Sequence, residues 1–104
     1  MKHLMAIDAG TTGIRAIIFD EDSQMVSHAY ETIELHQPQP GWSEQDPTGV
    51  WQACQQVMKQ ALMDSRLEAQ DIEAIGVATL RSTNLLWRSD GRPLYNAITW
   101  HDTR

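Results

Sequence analysis

Six consecutive residues, Asp8-Ala9-Gly10-Thr11-Thr12-Gly13, concentrate more reactive chemistry than any other stretch of the chain. They supply two glycines, two hydroxyls, backbone N–H groups and one carboxylate. Amides lining a concave turn beside hydroxyls suit a phosphate chain, and the carboxylate suits a hydrated Mg²⁺ next to it. The segment lacks the Gly-Lys-Ser/Thr ending of a P-loop, and no helix begins here to lend its N-terminal dipole. An ordinary hairpin turn, with glycines at positions of positive φ, accounts for the same six residues.

The elements around this turn are legible. Residues 3–8 are apolar with little alternation and predict a strand buried on both faces. Residues 14–20 predict a second strand, in which Arg15 sits two residues past the turn and can point back toward it. Residues 25–35 predict a third strand after the polar turn at Asp20-Glu21-Asp22-Ser23. Asp20, Asp22 and Glu31 fall on calcium-loop positions, but Met25 stands where that loop needs glycine, so a solvated turn is the better reading.

Residues 36–40 carry two prolines and predict a loop. Asp46 followed by Pro47 is a helix N-cap and first-turn pair. Val50, Cys54, Val57, Met58 and Ala61 then share one face, with Trp51 and Leu62 at its flank, predicting an amphipathic helix of about four turns. Cys54 lies on that face as a core residue, since nothing near it would lower its pKa. Glu44 and Asp46 form a carboxylate pair in sequence, but Asp46 is better used as the cap. After a short turn at 71–73, residues 74–78 predict a fourth strand, and a helix between strands implies a crossover and parallel pairing. The polar residues 79–84 follow at the strand's C-terminal end, where open α/β sheets tend to place ligands. Residues 85–87 and 93–100 predict a hairpin turned at Asp90-Gly91.

Composition narrows the class. The chain has 104 residues, 8 Lys+Arg against 14 Asp+Glu, and a net charge of −6. No basic cluster stands out, so nucleic acid and anionic membrane are not the expected partners. No apolar run approaches a membrane span, and the N-terminus lacks a signal-peptide core. One cysteine excludes an internal disulfide and gives no metal-finger spacing. A cytoplasmic protein is the expectation. The four histidines show no paired ligand spacing and are expected at surface or satisfied positions. Trp42, Trp51 and Trp87 are expected to anchor packing, and Met5, Met25, Met58 and Met63 to fill core or boundary sites.

The order β-β-β-α-β with a Gly-Thr turn between the first two strands resembles the α/β, ribonuclease-H-like nucleotide-binding half of actin, heat-shock chaperones and sugar kinases. Three motifs narrow the resemblance to the FGGY carbohydrate kinases, closest to glycerol kinases. They are Asp8-Ala9-Gly10-Thr11-Thr12-Gly13-Ile14-Arg15-Ala16; Gly41-Trp42-Ser43-Glu44-Gln45-Asp46-Pro47 with Trp51; and Pro93-Leu94-Tyr95-Asn96-Ala97-Ile98-Thr99-Trp100 with Asp102 and Arg104. The second motif argues against an ATPase of the chaperone or actin type.

The resemblance implies a mixed sheet and ATP-dependent phosphorylation of a hydroxyl on a polyol or sugar. It implies that Gly10, Thr11, Thr12 and Gly13 face the γ-phosphate, that Asp8 holds Mg²⁺ through water, and that Arg15 offsets phosphate charge. It makes Arg81, Ser82, Trp100 and Asp102 the substrate side, with Arg81 binding hydroxyls and Trp100 walling the carbon chain. Glycerol kinases usually carry Gln-Arg-Glu where this chain has Leu80-Arg81-Ser82, which puts glycerol itself in doubt. Residues 1–104 correspond to the opening part of a first domain. The general base and the adenine-binding segments lie beyond residue 104 in the family, so no catalytic residue is expected in this stretch and little activity from it alone. The competing expectation is a non-catalytic, partner-binding module that keeps the phosphate turn, with exposed apolar surface and self-association. An uncovered sheet edge would favour homo-oligomers.

Overall fold

A computed structural model describes residues 2–104. Strands β1 (His3–Ala9), β2 (Gly13–Phe19) and β3 (Met25–Thr32) run antiparallel in succession. Helix α1 (Pro47–Ser65) then crosses over, and β5 (Ile72–Ala78) pairs parallel with β1. The sheet order is β3-β2-β1-β5. Between β3 and α1 lies β4 (Glu44–Gln45), which pairs antiparallel with β6 (Ala97–Ile98) in a separate two-stranded sheet.

Alternation along β1 and β2 sends Met5, Ile7, Ile14, Ala16 and Ile18 to one face. Ala53, Val57 and Ala61, spaced four apart on α1, close over them. The alanines let the helix approach closely, and burying Val57 stabilises by about 1.5–3 kcal/mol. The Ser27 hydroxyl donates to the Ala61 carbonyl at 2.7 Å and ties β3 to the helix. Asp46 caps α1 as expected, accepting from the Thr48 N–H at 3.1 Å, with Pro47 in the first turn. The helix ends at Arg66, in the left-handed region at φ 64°, whose N–H donates to the Met63 carbonyl.

Several expectations are corrected. The helix has 19 residues, about five turns. β3 stops at Thr32, because the chain leaves the sheet and His36 pairs instead with Glu44. The second hairpin forms, turned at Asp90-Gly91, with Arg88 N–H donating to the Arg92 carbonyl at 2.8 Å and Leu94 N–H to the Leu86 carbonyl at 2.9 Å, but it is irregular, and residues 97–98 also pair with β4. Trp51 is exposed and Trp87 is 68% exposed, so neither anchors the packing of this stretch; Met25 and Met63 are exposed as well. His3 is buried, and its Nδ1 has no partner among the described residues.

The helix covers β1, β2 and β3 but not β5. Ile75 and Val77 lie level with Met5 and Ile7 and are exposed. They form with Ile7, Trp51, Leu85 and Trp87 an open apolar trough of about 850 Å³. Val50, Cys54 and Met58 edge this trough, so of the helix face expected to be buried only Val57 and Ala61 are fully so. Burial pushes the Cys54 thiol above its ordinary pKa, which fits an inert side chain.

Candidate phosphate and acceptor site

The turn between β1 and β2 is tight: the Gly10 N–H donates to the Gly13 carbonyl at 2.8 Å. Neither glycine has positive φ; among the described residues Gly41 and Gly91 are the glycines that do. Backbone conformation does not dictate glycine at either position; the space around them favours it. A Cβ at Gly10 would press on the Gly13 carbonyl, and one at Gly13 would collide with the Tyr30 phenol.

Hydrogen bonding gives the turn its polarity. The carbonyls of Thr11 and Thr12 are engaged from within the fold: Gln45 Nε2 donates to Thr11 O at 2.7 Å, and Ile33 N–H to Thr12 O at 2.9 Å. The Thr11 and Thr12 N–H groups donate to no acceptor among the described residues. Acceptors tied down and donors left available make a loop that favours an anion. Asp8 stands exposed at the end of β1, with Arg15 as its cross-strand partner on β2 and Ala78 on β5. Among the described residues neither Asp8 nor Arg15 is in an ion pair. The Asp8 carboxylate is thus available to a cation's water shell, and Arg15 keeps its charge. Among the described residues no three His, Cys, Asp or Glu side chains gather to hold a metal unaided. A single exposed carboxylate beside a phosphate site fits Mg²⁺, which takes one or two carboxylates and keeps several waters.

Trp100 reaches this turn from the other end of the chain. Its Nε1–H donates to the Thr11 hydroxyl at 3.2 Å, and His101 stacks on it with ring centroids 3.6 Å apart. The indole is 55% exposed, leaving its surface available to a ligand. Arg81 and Ser82 lie exposed just past β5, beyond the end of the strand beside Asp8. Ser82 takes a left-handed backbone at φ 57°. The bridge from Asn84 to Ile98 brings this segment alongside the strand that leads to Trp100.

Asp102 does different work. Its side chain is only 4% exposed and accepts from Arg104 at 2.6–2.9 Å and from the Ser43 N–H at 2.7 Å. Arg104 also donates to Glu44 at 2.8 Å and lies 3.8 Å over the Trp42 ring. Glu44 is 2% exposed and accepts further from the Tyr95 hydroxyl and the Asn96 amide. Hydrogen bonds from Arg104 hold the Asp102 carboxyl well below the usual range and, against the opposing pull of burial, lower Glu44 too. The same pairing with Asp102 raises Arg104, while the Glu44 carboxylate raises Tyr95. This network clamps residues 95–104 to residues 42–45, and so fixes both Trp100 and Gln45 at the turn.

Gln45, Glu44 and Tyr30 were not singled out by sequence reasoning for roles at the site. The strand β4 that carries Gln45 and Glu44 is two residues long, too short for any periodic signal; Tyr95 and Asn96, which bond the Glu44 side chain, lie 51 and 52 positions away, and Thr11, which Gln45 meets, lies 34 away.

Comparison with known proteins agrees with this geometry. The profile of the FGGY family of carbohydrate kinases, N-terminal domain, matches residues 3–104. A glycerol kinase of Haloferax volcanii is 46% identical over 98% of this chain and 20% of its own length. The solved structure of Plasmodium falciparum glycerol kinase with ADP superposes with a TM-score of 0.91 at 31% identity, covering 100% of this chain and 21% of that one. A xylulose kinase from Brucella ovis gives a TM-score of 0.93 at 31% identity, over 98% and 21% respectively. The chain therefore spans about a fifth of the length of the relatives it matches.

Proposed function

The chain belongs to the FGGY family of carbohydrate kinases, and we propose on that premise that the full-length protein transfers the γ-phosphoryl group of ATP to a hydroxyl of a polyol or sugar. The observation that carries this reading is the turn 10–13, with the Thr11 and Thr12 carbonyls engaged and their N–H groups available, beside the Asp8 carboxylate. Phosphoryl transfer is mainly positioning and electrostatic stabilisation, and these residues are suited to both. Gly10 gives the phosphates close access, Thr11 and Thr12 donate to them, Gly13 closes the turn beneath the Tyr30 ring, and Arg15 offsets their charge. Asp8 would hold Mg²⁺ through water, and the ion when bound would neutralise further phosphate charge.

On the acceptor side, Arg81 and Ser82 would bind hydroxyls, and the Trp100 ring would wall the carbon chain. Asp102 would act there by holding Arg104 and Ser43, and through them the segment carrying Trp100. Ser82 reaches less far than the glutamate usual in glycerol kinases and carries no charge, so the acceptor is left as a polyol or sugar. Residues 1–104 would form the opening part of the first of two domains, with ATP in the cleft between them and the general base supplied from later residues. A cytoplasmic enzyme is the matching location; no helix among the described residues is long and apolar enough to cross a membrane.

The competing reading, a non-catalytic module that keeps the turn and binds a partner, draws on the open apolar trough beside β5. Acceptor-dependent ADP release separates the two. The full-length protein should release ADP with at least one member of a panel of polyols, ketoses and aldonates. Release with none of them would favour the module.

A further inference from the structure

Tyr30 lies outside every motif that points to phosphate chemistry, yet it shares a row with two residues inside them. The register sets Asp8 of β1 opposite Arg15 of β2, and Arg15 opposite Tyr30 of β3. Paired positions project from the same face, here the face opposite α1, since Ile14 and Ala16 pack under the helix. The Arg15 guanidinium lies 5.4 Å from the centroid of the Tyr30 ring. The same phenol covers Gly13 closely enough that a methyl group there would collide with it. Tyr30 therefore touches both the cation and the turn.

The manner of holding matters. A carboxylate in place of Tyr30 would fix Arg15 but neutralise it. An aromatic face attracts the guanidinium through its quadrupole and leaves the charge and the in-plane N–H donors available to another anion. Among the described residues no ion pair competes for Arg15.

We propose that Tyr30 is a positioning residue of the phosphate site, its ring holding the Arg15 guanidinium beside the turn 10–13 where the terminal phosphates sit. The inference rests on the proposed function for the location of those phosphates. It also gives the glycine at 13 a purpose: a side chain there would push the ring aside and release Arg15.

The test is a double-mutant cycle in the full-length protein, read as the affinity for inorganic tripolyphosphate with Mg²⁺ by calorimetry. Tyr30→Leu should weaken binding about two- to fivefold, as expected for a partly exposed cation–π contact. Tyr30→Phe should bind as the wild type does, because the ring is what acts. Arg15→Gln/Tyr30→Leu should be no weaker than Arg15→Gln alone, since Tyr30 works only through Arg15. Should Tyr30→Leu fail to fold, Tyr30→Gln takes its place in the cycle. Additive losses in the double variant, unchanged binding in Tyr30→Leu, or no tripolyphosphate binding by the wild type would each overturn the proposal. Tripolyphosphate needs neither acceptor nor turnover, so an intact coupling in a protein that phosphorylates nothing would sink the kinase reading and leave this one standing.

Discussion

The indole N–H of Trp100 donates to the hydroxyl of Thr11 at 3.2 Å, joining a residue of the proposed acceptor side to the proposed phosphate turn. One bond thus couples the two halves of the proposed site. Trp100→Phe keeps an aromatic wall and removes the donor. It should raise the KM for ATP about two- to fivefold, the worth of one partly exposed hydrogen bond, and leave the acceptor KM nearly unchanged. Trp100→Ala should raise the acceptor KM as well. Steady-state kinetics with each substrate varied in turn checks both.

Gln45 fixes the same turn from behind, through its amide to the Thr11 carbonyl at 2.7 Å. Gln45→Leu leaves that carbonyl without a partner in a part-buried position. The expected cost is about 1–3 kcal/mol, the penalty for an unsatisfied buried acceptor. A melting curve reads the loss, and nucleotide affinity should fall with it because the turn is no longer held in one shape.

Arg104, Glu44 and Asp102 predict a pH response with a definite sign. Both carboxyls lie below their ordinary range, chiefly through hydrogen bonds from Arg104. The stabilisation they give the clamp is complete above the ordinary carboxylate pKa of about 4 and is lost as pH falls through their lowered values. Hydrogen-exchange protection at Ser43 and Thr103, corrected for intrinsic rates, should therefore stay level from neutrality to about pH 5. Arg104→Gln removes the cation and leaves buried Glu44 to desolvation, which favours its protonated form. That variant should be less protected at neutral pH and should recover protection on acidification, the reverse of the wild type.

The sheet and the helix were legible because their signals are local. Ile14 to Phe19 is apolar enough to be a strand on its own, and Asp46-Pro47 marks a helix start from two residues. The crossover rule then gives parallel β5 without any contact being known. What escaped depends on distant partners. Glu44 reads as half of a carboxylate pair with Asp46 until Arg104, sixty positions away, is seen to pair with it. Trp87 reads as a packing anchor by composition, yet it is 68% exposed and lines an open trough, since helix α1 covers the other strands and not β5. Gly13 reads as a conformational glycine, whereas its φ is not positive and the Tyr30 ring lies over it. In each case the residue type was visible and the tertiary neighbour that decides its role was not.

The most direct test of the account is transfer of the γ-phosphoryl group of ATP to a polyol or sugar by the full-length protein, measured for the wild type and for Asp8→Ala. The account predicts a phosphorylated acceptor from the wild type and a rate lower by about a hundredfold or more in the variant, the scale expected when an electrostatic anchor of phosphoryl transfer is removed. Equal rates for the two proteins, or no transfer by the wild type to any acceptor, would contradict it.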